Sequence, residues 1–205
     1  MSTRVGIAKE CVPGRVKTRL TPALTPQQAA EVAAAALEAT LAAVARVPAD
    51  RHVLFLDGRP PAGCDFEVLP QPTGTLDVRL AALFDAMTDR TLLIGMDTPQ
   101  VDAGLLAGTL ADGSGAEAWF GPATDGGFWA LGLDAPDGAL VAGVPMSVPW
   151  TGALQRRRLV AAGLRVADLP RLTDVDTADS AREVAALVPG TPFADLVARG
   201  LEDAA

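Results

Sequence analysis

The chain has 205 residues, of which 49% are hydrophobic and 20% are charged, a composition typical of a folded globular protein. That length suffices for one well-buried α/β domain and is short for two. Acidic residues outnumber basic ones by 25 to 17, giving a formal charge of −8, which argues against a general nucleic-acid binder. The net negative charge does not exclude small phosphorylated ligands, because a few local cations are enough to bind them.

Neither the cysteines nor the hydropathy pattern indicates an exported or membrane-bound protein. Cys11 and Cys64 form no metal-ligand spacing and no disulfide framework. The sequence shows no apolar run that we interpret as a transmembrane segment, and its N-terminus has no signal-peptide layout. We therefore expect a cytoplasmic protein with no membrane span.

Short apolar runs bounded by turn residues alternate with longer helical segments along the chain, which predicts an α/β fold with a largely parallel sheet. Thr25 and Pro26 form a good helix start, and Thr177 is a second predicted N-cap. The predicted strands are residues 3–8, 52–56, 66–69, 91–94, 116–120, 128–133 and 164–169, and the short spacing of 116–120 and 128–133 places these two together at the sheet edge. The predicted helices are residues 26–47, 76–87, 101–110, 152–162 and 178–187, with a terminal one from Pro192.

The fourth predicted strand lies in the stretch TLLIGMDTP, residues 91–99, and is followed closely by Asp97. A short apolar run of this kind suits a strand that is buried on both faces of a parallel sheet. Asp97 then lies at the carboxyl edge of the sheet, where open α/β folds bind ligands. The alternative is that Asp97 caps the helix that follows.

Four cations, Lys9, Arg15, Lys17 and Arg19, follow the first predicted strand around a proline–glycine turn. The spacing matches neither of the common glycine-rich phosphate loops. Phosphate oxygens are nevertheless natural partners for such a cluster, because arginine offers paired donors and lysine a point charge. A solvated, charged turn is the other interpretation.

Two further stretches carry acidic residues that could serve a ligand. In GPATDGG, Asp125 precedes Gly126 and Gly127; the spacing alone favours a turn, although paired glycines also let backbone approach a ligand. In TDVDTADS, Asp174 and Asp176 alternate and face the same way in extended backbone. Carboxylates from separate segments that converge need a cation between them, and oxygen ligands of this kind suit Mg²⁺ or Mn²⁺. A helix N-cap cluster is the alternative for the second stretch.

Five stretches in this order, KECVPGRVKTRL, LLIGMDTP, GPATDGGFWALGL, VPMSVPWTG and DVDTADS, resemble the motifs of a known family. It is the bacterial glycosyltransferase-A-like family of uncharacterised transferases, whose members are often labelled radical-SAM/selenodomain-associated transferase. This family is similar to the nucleotidyltransferases that make molybdenum-cofactor dinucleotides and activated 2-phospholactate. The resemblance covers about residues 4–187, and the combination of motifs is specific although each motif alone is not.

The resemblance implies a three-layer nucleotide-diphospho-sugar transferase (GT-A-like) fold, with a mixed, mostly parallel sheet of about seven strands in a single domain over residues 1–205. Asp97 and Asp176 match the metal-binding acids, and Mg²⁺ or Mn²⁺ is the implied cofactor. Asp125 matches the acceptor-side signature together with Gly126 and Gly127, and Asp125 and Lys17 are the implied catalytic residues. The loop that holds the nucleotide phosphates is matched by Lys9, Gly14, Arg15, Lys17 and Arg19.

One stretch departs from the family pattern. Many members carry an acidic GDLGER-like sequence where this chain has GTLDVR, residues 74–79. Gly74 keeps its place among the implied nucleotide-binding residues, but an acid is missing at Thr75, which leaves base and donor choice open.

These observations together predict a metal-dependent transferase that uses a nucleotide-sugar donor and a small-molecule acceptor. Nucleotidyl transfer to a phosphorylated small molecule, with release of pyrophosphate, is the alternative reaction, because positioning and electrostatic stabilisation serve both. A non-catalytic nucleotide-binding protein on the same fold is the third possibility. The single histidine, His52, starts a strand at the opposite edge of the sheet and is interpreted as structural or solvent-facing.

Overall fold

The computed structural model describes residues 1–21, 23–109 and 115–202. These residues form a seven-stranded sheet flanked by helices. The strands are β1 (Ser2–Lys9), β2 (Arg51–Asp57), β3 (Glu67–Pro70), β4 (Arg90–Gly95), β5 (Ala118–Pro122), β6 (Phe128–Leu133) and β7 (Val166–Asp168). The helices are α1 (Pro26–Ala45), α2 (Leu76–Ala86), α3 (Ala103–Ala107), α4 (Thr151–Ala161), α5 (Ala178–Leu187) and α6 (Pro192–Glu202).

The sheet has the strand order β3-β2-β1-β4-β6-β5-β7 and is mostly parallel, as the sequence predicts. The strand β6 alone reverses direction, because it pairs antiparallel with both β4 and β5. The expected pairing of β5 with β6 is confirmed, but their expected place at the sheet edge is wrong. The short strand β7 pairs parallel with β5 and forms that edge instead.

Both faces of the sheet are covered by helices, so the fold has the three layers that were expected. On β2, Val53 and Phe55 pack in one hydrophobic cluster with Phe84 of α2. The alternate residues Leu54 and Leu56 belong to a different cluster, which includes Leu37 of α1. Because successive side chains of a strand point to opposite faces, the two clusters lie on opposite sides of the sheet.

The helix α1 begins where the sequence predicts and is largely buried. Thr25 and Gln28 form a capping box, and Pro26 is the first helical residue. By length and composition alone α1 is apolar enough to cross a membrane, with a mean hydropathy of 1.3, although we expected no such run. Inside the protein 61% of that stretch is buried, so the core that α1 covers accounts for its apolar character.

The helix α3 is shorter than the predicted 101–110, and the predicted end at Leu110 lies outside the described residues. It begins at Ala103 because Asp102 is its N-cap, with the Asp102 carboxylate accepting a hydrogen bond of 2.7 Å from the backbone N–H of Leu105. The interpretation of Asp97 as a helix cap is therefore wrong. Residues 97–101 therefore precede α3 and are not part of it.

The parallel strands β1, β2 and β4 end at one edge of the sheet, at Lys9, Asp57 and Gly95 respectively. The cationic loop and the Asp97 segment therefore leave the sheet side by side, as expected for open α/β folds. His52 is the second residue of β2, at the other edge, where its Nε2 lies 3.1 Å from the Val47 carbonyl oxygen. This contact supports its structural interpretation.

Candidate active site

The cationic loop is shaped by one tight turn and one strained residue. The backbone N–H of Arg15 donates to the Val12 carbonyl across Pro13 and Gly14, and Gly14 has a φ of +74°, as required at the third position of a type II turn. Further along, Lys17 has a φ of 48° and a ψ of 41°. This left-handed conformation is uncommon for a residue with a side chain and marks a position held by its surroundings.

Two distant segments converge beside this loop through one backbone hydrogen bond and one from a side chain. The N–H of Val175 donates to the Asp97 carbonyl at 2.9 Å, and the Gln100 side chain donates to the Thr173 carbonyl at 2.6 Å. Val175 itself is completely buried. These bonds fix Asp176 next to Asp97, although the two residues are far apart in sequence.

The carboxylates of Asp97 and Asp176 enclose the ammonium of Lys17. The Nζ atom of Lys17 lies 2.8 Å from Asp97 Oδ2 and 4.0 Å from Asp176 Oδ1, and the Lys17 side chain is only 6% exposed. The guanidinium of Arg19 forms an ion pair with Asp176 from the solvent side, being 75% exposed. A cavity of about 170 Å³ opens here, lined by Lys9, Lys17, Thr18, Arg19, Asp97 and Asp176.

The donor set fits a hard divalent cation. The Oδ1 atom of Asp97 is buried and has no hydrogen-bond partner, which is uncommon for a carboxylate oxygen and leaves it available to a cation. In the part of the chain that the structure describes, no three His, Cys, Asp or Glu side chains form a metal cluster. Mg²⁺ commonly takes one or two protein carboxylates and completes its shell with phosphate oxygens and water.

Asp174 is a third acid in the same electrostatic environment. Burial raises the pKa of the Asp174 carboxyl above its usual range, and the negative charge of Asp125 raises it further. The charge of Lys17 acts in the opposite direction, and that of Asp97 adds to the rise. The charges of Asp97 and Asp125, from two other stretches, thus act on the same carboxyl.

Asp125 lies on an exposed loop between β5 and β6 whose shape depends on glycine. The Asp125 carboxylate accepts a hydrogen bond of 2.7 Å from the Gly127 N–H, so it does form the predicted turn. Gly126 has a φ of +90°, and a Cβ there would lie 1.9 Å from the Pro149 carbonyl oxygen. The Gly126 carbonyl in turn accepts from the Gly152 N–H at 2.8 Å, which ties the loop to the start of α4.

The predicted nucleotide-binding residues do not all reach the cavity. Gly14 and Arg15 lie on the turn of the loop and are exposed. Gly74 has a φ of +135°, and its carbonyl accepts from Arg79 Nε at 2.9 Å. Arg79 also bonds to Asp57, at the end of β2. These residues do not line the cavity.

Sequence reasoning missed two features of the site. Thr18 lines the cavity, and its position between two assigned cations was the only available signal. The direct pairing of Lys17 with Asp97 was also missed, because Lys17 was assigned to phosphate and Asp97 to a metal ion.

A sequence profile described as "Uncharacterized protein conserved in bacteria (DUF2064)" matches residues 22–148, which is more than half of the chain. The chain belongs to this family. No curated protein matches the sequence. The narrower resemblance to the radical-SAM/selenodomain-associated type stays a prediction.

Several solved structures share this fold. A protein from Desulfovibrio desulfuricans G20, provisionally named nucleotide-diphospho-sugar transferase, is 22% identical over 99% of this chain and 97% of its own, with a TM-score of 0.87. Rv0371c from Mycobacterium tuberculosis H37Rv, in complex with manganese, is 22% identical over 89% and 96%, with a TM-score of 0.51. CMP:2-keto-3-deoxy-manno-octonic acid synthetase complexed with CTP is 12% identical over 91% and 97%, with a TM-score of 0.57. At these identities the likeness shows the fold, which is that of the nucleotide-diphospho-sugar transferases.

Proposed function

We propose that this protein is a metal-dependent transferase that takes a sugar from a nucleotide-sugar donor and passes it to a small-molecule acceptor. The observation that carries the proposal is the pair of carboxylates, Asp97 and Asp176, beside a buried lysine in a cavity at the carboxyl edge of the sheet. Mixed charges of this kind suit a diphosphate together with a cation. A solvated surface cluster would not bury the lysine side chain to 6% exposure.

The cationic side chains of the cavity bind the diphosphate in this proposal. Lys9 and Lys17 offer point charges, and Arg19 offers paired donors from the open side. Asp97 and Asp176 hold Mg²⁺ or Mn²⁺, which neutralises the phosphates and stabilises the charge on the departing group. Rv0371c was solved in complex with manganese, which supports the choice of cation for this fold.

The acceptor side of the site is assigned to Asp125. Its loop is exposed, and its charge acts on both Asp174 and Arg19. An acceptor hydroxyl attacks the anomeric carbon of the sugar, and the bond from that carbon to the diphosphate oxygen breaks. The electron pair of that bond leaves with the nucleoside diphosphate, and Asp125 orients the hydroxyl and accepts its proton.

Nucleotidyl transfer is the second candidate, because a neighbour of this fold, the octonic acid synthetase, was solved with CTP. In that reaction an oxygen of a phosphorylated substrate attacks the α-phosphorus of a nucleoside triphosphate. The bond between the α-phosphorus and the bridging oxygen breaks, and pyrophosphate leaves with the electron pair. The same cations would bind the departing group, so the products must distinguish the two reactions.

One incubation panel separates the candidates. The full chain is incubated with Mg²⁺ or Mn²⁺ and either nucleotide-sugars with sugar or hydroxy-acid acceptors, or nucleoside triphosphates with phosphorylated small molecules. Phosphorus NMR then identifies the products. Acceptor-dependent release of a nucleoside diphosphate supports glycosyl transfer, and release of pyrophosphate supports nucleotidyl transfer. Nucleotide binding with no product from any pair contradicts both and leaves a non-catalytic binding protein. The Asp97→Asn variant is the control for contaminating enzymes, because it must lose the activity.

A further inference from the structure

A lysine ammonium already occupies the space between the two carboxylates that the proposed function assigns to a metal ion. Lys17 Nζ makes its short contact, 2.8 Å, with Asp97 Oδ2 and a longer one, 4.0 Å, with Asp176 Oδ1. The left-handed backbone at Lys17, with a φ of 48°, holds this arrangement against its intrinsic preference. Val16 and Leu20, almost completely buried, anchor the chain on either side.

The ammonium does not satisfy the carboxylate pair completely. Asp97 Oδ1 stays buried without a hydrogen-bond partner, although Lys17 is paired with the other oxygen of the same group. A divalent cation that took Asp97 Oδ1 would lie within a few ångströms of the ammonium. Two positive charges at such a distance in a partly buried site repel each other strongly. Lys17 and the metal therefore compete for Asp97.

We infer that Lys17 is a resident counter-ion that a divalent cation has to displace, and that incoming phosphate oxygens draw the ammonium away. This inference rests on the proposed function for the identity of the cation and of the polyphosphate. Lysine suits the exchange, because its ammonium is a compact charge with three donors on a flexible stem. The metal alone then binds weakly, and the metal and the polyphosphate bind together. Lys17 therefore keeps the affinity for metal low until a polyphosphate binds.

Binding of Mn²⁺ alone tests the inference without any knowledge of the substrate. Free Mn²⁺ is measured by electron paramagnetic resonance in titrations of the parent protein, of Lys17→Met and of Arg15→Met. Arg15 is exposed on the same loop, so its variant removes the same unit of charge without touching Asp97. We expect Lys17→Met to bind Mn²⁺ about tenfold more tightly than the parent, within the usual range of coupling between two sites. Arg15→Met should stay within about threefold of the parent, because its charge is screened by water.

A second variant protects the test against misfolding. Lys17→Gln keeps a hydrogen-bond donor for Asp97 and removes the charge, so it should also bind Mn²⁺ more tightly than the parent even if Lys17→Met does not fold. Affinity in the lysine variants equal to or below that of the parent overturns the inference. If the lysine variants bind Mn²⁺ no more tightly than the parent while Asp97→Asn abolishes Mn²⁺ binding, the proposed metal site is supported and only the role of Lys17 is wrong. Conversely, tighter Mn²⁺ binding in a protein that turns over no substrate upholds the inference and contradicts the proposed reaction.

Discussion

Replacing Asp97 by asparagine tests its proposed role as a metal ligand and weakens its pairing with Lys17. Asparagine keeps the shape of the side chain and removes its charge. In the ligand-free protein the change weakens one ion pair, in which Asp97 Oδ2 lies 2.8 Å from the Nζ of a lysine that is 6% exposed. Loss of a charge-assisted contact costs about 1.5–3 kcal/mol. We expect the lower part of that range, because Asp97 is itself 37% exposed and Asp176 remains as a second partner at 4.0 Å.

The measured quantities are the melting temperature and the dependence of nucleotide binding on divalent ions. For a chain of this size each kcal/mol shifts the melting temperature by about 2–4 °C, so a fall of about 3–8 °C is expected. In calorimetric titrations with and without Mn²⁺, the variant should bind the same nucleotide with the same affinity in both conditions. Asp102→Asn is the matched control, because asparagine caps helices as well as aspartate does and Asp102 is the N-cap of α3. Metal-dependent nucleotide binding that survives in Asp97→Asn refutes the assignment of Asp97 as a metal ligand.

Three further variants or reactions are expected to behave as follows. Arg19→Ala should weaken nucleotide binding by about tenfold or more through loss of a charge-assisted contact. The melting temperature of the ligand-free variant should stay nearly unchanged, because the pair of Arg19 with Asp176 is solvent-exposed. Unaltered nucleotide affinity would show that the cationic loop is a solvated surface turn. Asp125→Asn should lower kcat by about 10²–10⁴-fold while donor binding changes little, whereas a kcat close to that of the parent would leave Asp125 as a turn residue only. Burial, and then the charge of Asp97, raise the pKa of the Cys11 thiol to about 11. In a Cys64→Ser background iodoacetamide should therefore alkylate Cys11 at pH 8 at least about tenfold more slowly than a free thiol, because the loss of thiolate outweighs the greater nucleophilicity of a high-pKa thiolate. A rate close to the free thiol's would contradict the burial.

The helix starts and the strands with strong apolar runs were predictable because their signals are local. Thr25 and Pro26 predict the beginning of α1 directly, and the structure adds only the partner Gln28. The apolar runs inside β1, β2 and β4, residues 5–8, 53–56 and 92–94, do not alternate with polar residues, because helices cover both faces of the sheet. The carboxyl-edge position of the cationic loop follows from β1 alone.

The start of α3, the position of β7 and the ion pairs of the site were not predictable from local signals. The predicted helix began at residue 101 rather than at Ala103, because the side chain that caps α3 is that of Asp102. The residues just before this cap are bound to residues more than 70 positions later, such as Gln100 to Thr173. The edge strand β7 is three residues long and only partly buried, so its pattern did not reveal that it lies outside β5. The ion pairs across the site depend on the directions of the side chains, which can be known only once the whole fold is known.

The position of the metal in a crystal is the most direct test of the site. Crystals of the full chain grown with Mn²⁺ and the most tightly bound nucleotide of the panel would give an anomalous difference map at the manganese edge. We expect a single peak within coordination distance of the carboxylates of Asp97 and Asp176, next to the nucleotide phosphates, with Lys17 Nζ moved from its 2.8 Å contact with Asp97 onto a phosphate oxygen. A nucleotide bound with its manganese away from Asp97, or with no manganese at all, would contradict the proposed site.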